Sequence, residues 1–238
     1  VQDAPEFRPL DALTYAHEFV HGLQQQHFDI HATGEELEDN TDRLRAFRAL
    51  IEGDASVSQA LYGIQHMDEE EAAAVGEASG ELEHGFFERA PYVVQRTVAF
   101  PYVEGGQFVI SLFLAADGWD LVNQAFEDVP QSTEQIIHPE KYLSGEAPAT
   151  VEVPDLIDAL GAGWIEVRRD TLGEFVLMAY LESNLPFDEA GVAAGGWGGD
   201  GYALLRGPQD QNLLVSLITW DDEDEAQEFY DAFLDFMR

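Results

Sequence analysis

Two histidines and a glutamate near the start of the sequence have the types and spacing of a metal-binding helix. His17 and His21 are four residues apart, and Glu18 lies beside them. Residues four apart project from one face of a helix, so both imidazoles can reach one zinc ion at about 2.0–2.1 Å. Glu18 can take a proton from a zinc-bound water and return it to a leaving amine. The spacing therefore predicts a hydrolytic zinc site.

A catalytic zinc normally takes three protein ligands, and the sequence offers two candidates for the third. His27 nearly completes the longer metzincin motif, but that motif has glycine where this chain has Gln24. Without the glycine the helix continues, and His27 lies about 15 Å along the axis from His17. Glu52 follows within the second helical pattern. A glutamate on an adjacent helix is the gluzincin arrangement, which favours Glu52 over His27.

The neighbours of Glu52 add two expectations. Gly53 costs up to ~1 kcal/mol inside a helix, so we expect a close approach to the site helix there. Asp54 is a candidate acceptor for the outer N–H of a ligating histidine, although a solvated aspartate fits the pattern equally well. The alternative for Glu52 itself is a surface ion pair with Arg48, one helical turn earlier.

Hydrophobic patterning predicts an α+β fold with a mostly helical first part. The motif of the site helix makes this first part similar to zincin domains. The expected domains are residues 1–148, carrying the site helix, and residues 149–238, a smaller α+β part. Strands are predicted at 164–168, 202–206 and 213–220, the last two joined by a hairpin, with Asp221 or Asp222 capping a final helix. The other helices are expected at 9–26, 42–65, 77–90, 106–116, 119–127 and 171–181, with a short helix and turn at 132–142 and a loop at 27–41.

The charge balance excludes several classes of partner. The chain has 11 basic and 47 acidic residues, a net charge of −36, and Lys141 is its one lysine. Such a surface repels nucleic acid and anionic membranes, and no apolar run approaches the length that spans a bilayer. Cysteine is absent, which excludes disulfides and thiolate ligands. Concentrated salt screens this repulsion, so the composition is typical of proteins from high-salt environments; the alternative is a cationic partner.

The run from Tyr15 to Asp29 resembles a little-characterised group of gluzincin-like proteins in haloarchaea and other prokaryotes. The stretches Ala49–Ala55, Ser132–Tyr142 and Gly196–Asp200 strengthen the resemblance. It implies a zinc peptidase with one zinc ion, which cleaves amide bonds in a peptide or protein substrate. It does not supply the substrate itself.

The resemblance also directs attention to the run that carries the one lysine. In many gluzincins a His or Tyr donates a hydrogen bond to the oxyanion of the tetrahedral intermediate, and here His138 or Tyr142 is the candidate. The alternative is a capped helix in which Pro139 fixes a turn and Lys141 pairs with a carboxylate. Gly196–Asp200 is interpreted as a tight turn before a strand, and the alternative is a ligand-binding loop.

The start of the chain departs from the zincin pattern. Zincin domains usually carry a β-sheet before the site helix, yet only 16 residues precede His17. We expect either an upstream segment or a partner chain to complete the sheet, or the sheet to be missing. The opening at Val1, without a signal peptide, is interpreted as a mature or truncated form, and an exported or cell-surface location is favoured over a cytoplasmic one. Two alternatives stay open: a non-catalytic zincin-like protein that keeps the metal site for structure or assembly, and a metal-free acidic interaction protein.

Overall fold

The computed structural model describes residues 8–82 and 89–238, and these form an α+β fold, as the sequence predicts. The three strands are β1 (Ile165–Asp170), β2 (Trp197–Arg206) and β3 (Asn212–Trp220). The helices of the described residues are α1 (Pro9–Phe28), α2 (Ile30–Glu36), α3 (Thr41–His66), α4 (Glu69–Leu82), α5 (Tyr92–Ala116), α6 (Asp120–Glu127), α7 (Thr133–Ile137), α8 (Pro139–Ser144), α9 (Ile157–Leu160), α10 (Glu174–Leu181), α11 (Phe187–Ala194) and α12 (Glu223–Phe236).

The chain divides into two compact units. The first unit comprises Val1–Gly34 and Phe47–Val129, and the second comprises Glu35–Ala46 and Pro130–Arg238. The domain boundary expected at residue 148 therefore lies inside the second unit. All secondary structure in the described residues of the first unit is helical, and the sheet belongs to the second unit.

The first unit is built around the site helix α1. Pro9 occupies the first helical turn, where its missing N–H is tolerated, and the Asp11 carboxylate accepts a bond from the Arg8 main chain at 2.9 Å. The helix ends at Asp29, whose φ of +47° turns the chain out of the helical path. The core of this unit is formed by fully or almost fully buried side chains of α3, α5 and α6, namely Phe47, Leu50, Phe100, Phe108, Leu112, Val122 and Phe126.

Helices α3 and α5 touch through their backbones at two glycines. A Cβ placed on Gly53 would lie 2.3 Å from the carbonyl oxygen of Gly105, and one placed on Gly105 would lie 2.2 Å from that of Ala49. Both distances are too short for any side chain, so glycine is required on each helix. The expectation of a close approach at Gly53 is met, but the neighbour is α5 and not the site helix, and that part of the prediction is wrong.

The second unit contains an antiparallel sheet in the order β1-β2-β3. The hairpin between β2 and β3 closes with Arg206 opposite Asn212 and with a bond from Gly207 N to Gln211 O at 2.8 Å. Asp222 caps α12, because its carboxylate accepts bonds from the first main-chain amides of the helix. The predicted hairpin and the predicted cap are both confirmed.

Four local predictions are wrong. Helix α2 occupies part of the stretch expected to be a loop. Helix α5 begins at Tyr92 and not at 106, and it continues through Pro101, since buried Phe100 and Phe108 anchor it on both sides. Helix α10 begins after Gly173, whose φ is +80°, and not at Thr171; a side chain at 173 would overlap the carboxylate of Asp42. Most of the Gly196–Asp200 run belongs to β2 and is not a turn. The helix expected at 77–90 lies partly outside the described residues.

Helix α5 is long and apolar enough to be compared with a membrane-spanning helix. Among the described residues, it is the one helix whose length and mean hydropathy, 1.4 over 18 residues, would suffice to cross a bilayer. Counting unbroken apolar runs did not detect it, because polar residues such as Gln95, Arg96 and Glu104 interrupt it. A core helix of a soluble protein passes the same test, so α5 is no clear evidence of a membrane protein.

Candidate metal centre

Three side chains from α1 and α3 converge on one point. His17 Nε2 lies 3.1 Å from His21 Nε2 and 3.2 Å from Glu52 Oε2, and the third distance, from His21 Nε2 to Glu52 Oε2, is 3.5 Å. The side chains are partly buried, between 14% and 27% exposed. The structure thus brings together the three residues that the sequence singles out as ligands, although Glu52 is 35 positions from His17. It does not show the surface ion pair with Arg48 that was the alternative for Glu52.

The spacing and chemistry of the three atoms can be compared with what zinc requires. Four ligands at about 2.05 Å in a tetrahedron lie about 3.3 Å from one another. The three observed distances, 3.1, 3.2 and 3.5 Å, lie around that value. Two imidazole nitrogens and one carboxylate oxygen are also a common donor set of catalytic zinc. The residues present therefore fit a zinc ion with one position left for another ligand.

The three groups influence one another electrostatically. The bond with His21 lowers the pKa of Glu52, and Glu52 raises the pKa of His21. Glu52 is therefore ionised near neutral pH and offers a negatively charged ligand atom. A dication at this point would be attracted to the ionised carboxylate and would compete with protons for the imidazole nitrogens.

A buried glutamine orients His21. Gln24, only 2% exposed, lies on α1 with its Oε1 2.8 Å from His21 Nδ1. Its Nε2 donates to Asp54 Oδ2 at 2.7 Å and to the Ile51 carbonyl at 3.0 Å. Asp54 was expected to accept the outer N–H of a ligating histidine directly. Instead it lies one side chain further out, because Gln24 fills the space between them.

Glu18 and His27 occupy different positions relative to the cluster. Glu18 is exposed on α1. Its charge adds to the larger effect of Glu52 on the pKa of His21 and to that of burial on the pKa of Tyr102, so it lies near the site without being one of the converging groups. His27 is exposed near the end of α1 and does not belong to the group of converging ligand atoms in the described residues. The structure therefore favours Glu52 over His27 as the third member.

Tyr102 is a site residue that the sequence analysis missed. Its ring stacks on the ring of His17, with centroids 6.4 Å apart and planes 29° apart. Burial and then the carboxylate of Glu52 raise the pKa of Tyr102, so the phenol keeps its proton and can donate a hydrogen bond. No local pattern marks this tyrosine, because it reaches the site only through the crossing of α5 with α3.

The predicted oxyanion donors His138 and Tyr142 belong to the second unit. His138 Nε2 lies 2.9 Å from Oε1 of the buried Glu174, and this bond raises the pKa of His138. Lys141, between them in sequence, contacts three carboxylates at 2.6–2.8 Å, those of Glu134, Glu146 and Asp221. The pairing of Lys141 with a carboxylate is the alternative that the sequence left open, and a role for His138 or Tyr142 at the metal centre stays a prediction.

The carboxylates around Lys141 could also be considered as a cation site, since their oxygens converge. The ammonium group already lies among them, however, within hydrogen-bond distance of each. A metal ion would have to displace that group from a network in which Glu134 is 2% exposed. This cluster is therefore an ion-pair network of the second unit.

Comparisons with known proteins reach only the carboxy-terminal part. A family model described as a domain of unknown function (DUF8575) matches residues 162–238. The matched segment contains the sheet and α10–α12 but none of His17, His21 and Glu52. No curated protein and no solved structure matches the chain. The candidate metal centre thus has to be interpreted from its own geometry.

Proposed function

We propose that His17, His21 and Glu52 bind one zinc ion and that this chain is a zinc-dependent hydrolase of amide bonds in peptides. The observation that carries the proposal is the convergence of three ligand atoms, 3.1–3.5 Å apart, from two helices. Bound zinc supplies a Lewis acid that polarises a carbonyl and activates water.

The remaining site residues have roles that follow from their positions. Glu18 is the general base, since it is exposed on the turn between the two histidines, and it carries a proton to the leaving nitrogen. Tyr102 is a hydrogen-bond donor for the carbonyl oxygen under attack, because its phenol is protonated beside His17. His138 and Tyr142 remain the alternative donors that the sequence suggests.

Metal content tests the first half of the proposal. Wild-type protein, purified in molar KCl without added zinc, is expected to hold about one zinc per chain. Glu52→Ala removes one of three ligands and is expected to hold little. His27→Ala is the matched control, because His27 lies on the same helix outside the cluster, and it should retain zinc. Full zinc content in Glu52→Ala, or loss in His27→Ala, would contradict the assigned ligand set.

Hydrolysis of a mixture of internally quenched peptides tests the second half. Glu18→Gln should keep its zinc and lose cleavage, whereas equal activity would remove Glu18 from the mechanism. Comparing Tyr102→Phe with Tyr142→Phe then identifies the donor. We expect Tyr102→Phe to lower kcat by about 10²-fold or more with zinc retained. A loss confined to Tyr142→Phe would assign that role to the second unit.

One observation favours a second candidate, a non-catalytic protein that keeps the metal site for structure. In its described residues the first unit is helical throughout, so it offers no edge strand to hold an extended substrate. Under this alternative no substrate has to be held, so neither an upstream segment nor a partner chain is needed to complete a sheet. Zinc would raise the melting temperature, and the peptide mixture would stay intact in every variant.

A further inference from the structure

The hydrogen bonds of Gln24 fix the direction of the amide. Its Nε2 faces the main-chain carbonyl of Ile51 and a carboxylate oxygen of Asp54. A carbonyl only accepts hydrogen bonds, so the NH₂ end has to point there. The oxygen end, Oε1, is left facing His21 Nδ1 at 2.8 Å, and it too only accepts. His21 Nδ1 therefore carries a proton and donates it to Gln24.

That assignment determines the other nitrogen of His21. A neutral imidazole with its proton on Nδ1 has a lone pair on Nε2. This lone pair points toward His17 Nε2, its nearer neighbour at 3.1 Å. Glu52 Oε2 lies further away, at 3.5 Å, and His21 Nε2 can donate to it only when the imidazole is charged. Glu52 Oε2 lies 3.2 Å from the same atom of His17 and is also an acceptor. His17 Nε2 thus faces two acceptors. In the metal-free protein, when both imidazoles are uncharged, the proton of His17 therefore lies on Nε2.

The surroundings of the other nitrogen of His17 agree with this arrangement. His17 Nδ1 is buried, and within residues 8–82 and 89–238 no hydrogen-bond partner lies beside it. A buried N–H without an acceptor is unfavourable, whereas an unused imidazole lone pair is less so. The two histidines therefore differ: His21 has an acceptor on its outer side and His17 does not.

We infer that Gln24 is a positioning residue that locks His21 in the tautomer able to bind a metal, and that in the metal-free protein His17 holds the opposite tautomer. This inference rests on the proposed zinc site for its consequence. For His17 to bind zinc through Nε2, its proton would have to lie on Nδ1 instead, whereas His21 would keep its tautomer. Gln24 thus prepares one ligand in advance and leaves the other to rearrange.

Nitrogen-15 NMR of the imidazole rings tests the inference directly. The spectra are recorded on metal-free protein in molar KCl at about pH 9.5, where an ordinary imidazole is neutral. Wild type should show His21 protonated on Nδ1 and His17 on Nε2. Added zinc should convert His17 to the Nδ1–H form and leave His21 as it was. The same tautomer for both rings in the metal-free protein would overturn the inference.

Variants assign the effect to Gln24. Gln24→Met keeps the side-chain volume but removes the acceptor, so His21 should become a mixture of tautomers, and zinc affinity should fall about 10–100-fold. Gln26→Met, at an exposed glutamine of the same helix, is the matched control and should change neither. Asp54→Asn retains an acceptor for Gln24, so His21 should keep its tautomer. This variant provides a second test of the hydrogen-bond directions if Gln24→Met fails to fold.

The outcomes separate this inference from the proposed function. Opposite tautomers in a wild-type protein that binds no added zinc would support the lock and remove the zinc site. Zinc binding with His21 still on Nδ1–H in Gln24→Met would keep the zinc site and refute the role of Gln24. A change of the His21 tautomer in Asp54→Asn would refute the direction assigned to the hydrogen bonds.

Discussion

Gly53→Ala is expected to destabilise the first unit although alanine is the better helix former. The added Cβ would lie 2.3 Å from the carbonyl oxygen of Gly105, which is backbone and cannot rotate away. An ordinary contact requires α3 and α5 to separate by about 1 Å. Overpacking of this kind costs about 1–3 kcal/mol, against a gain of up to about 1 kcal/mol in helix propensity. We therefore expect a net loss of up to about 2 kcal/mol in the free energy of unfolding.

The same substitution tests the geometry of the metal centre. Glu52 is the neighbour of Gly53, so any displacement of α3 moves its carboxylate relative to the two histidines of α1. Binding sites tolerate displacements of about 0.5 Å, and zinc affinity should accordingly fall by at least about tenfold. Denaturant unfolding in molar KCl and zinc titration measure the two effects.

Gly22→Ala is the matched control for this experiment. Gly22 lies on the exposed side of α1, and a Cβ there would meet nothing within 4 Å. The variant should gain about 0.5–1 kcal/mol from helix propensity and keep its zinc. The reasoning would be refuted if Gly53→Ala matched Gly22→Ala in the sign of its effect on unfolding.

Three other predictions concern charge. Burial raises the pKa of Asp42 to about 7, so the folded state holds this proton more tightly than the unfolded state. The contribution of Asp42 to stability is therefore complete below about pH 4 and is lost as the pH rises through 7, by about 1.4 kcal/mol per unit. Asp42→Asn, which mimics the neutral form, should flatten this dependence, and parallel unfolding free energies of variant and wild type between about pH 5 and 7.5 would contradict it. Lys141→Met leaves Glu134, which is 2% exposed, without its cation and should lower the free energy of unfolding by about 3–5 kcal/mol near pH 7.5. Burial raises the pKa of Glu134 to about 7, so near pH 5 the carboxyl is protonated and the loss of stability should be smaller. An equal loss of stability at the two pH values would argue against this explanation. The net charge of −36 predicts that stability falls between molar and millimolar KCl, and an unchanged unfolding midpoint would count against adaptation to salt.

The convergence of the three proposed ligands was predictable because each carries a local signal. The spacing of His17 and His21 places both side chains on one face of a helix, and Glu52 was singled out by its place in the second helical pattern. Lys141 drew attention as the one lysine, but its sequence position did not show which carboxylates it would contact. Those carboxylates are 7 and 80 residues away for Glu134 and Asp221.

The supporting residues were not predictable, because their roles depend on contacts between helices. Gln24 is interpreted from the sequence only as a residue that keeps α1 helical, yet its side chain lies between His21 and Asp54. Tyr102 reaches His17 from α5, and nothing in its neighbourhood in sequence indicates a site. Gly53 signalled a close approach, but a missing side chain does not say which helix fills the space.

The sequence by itself determined the α+β class, the helix that carries His17 and His21, the types of the converging residues and the net charge. Helical periodicity and residue chemistry act over a few positions, so they can be recognised without knowing the fold. The tertiary structure alone decided that α3 places Glu52 against α1, that α5 crosses at Gly105, and that Gln24 separates His21 from Asp54. Those arrangements result from close packing between segments far apart in sequence, where differences of about 1 Å determine which side chains meet.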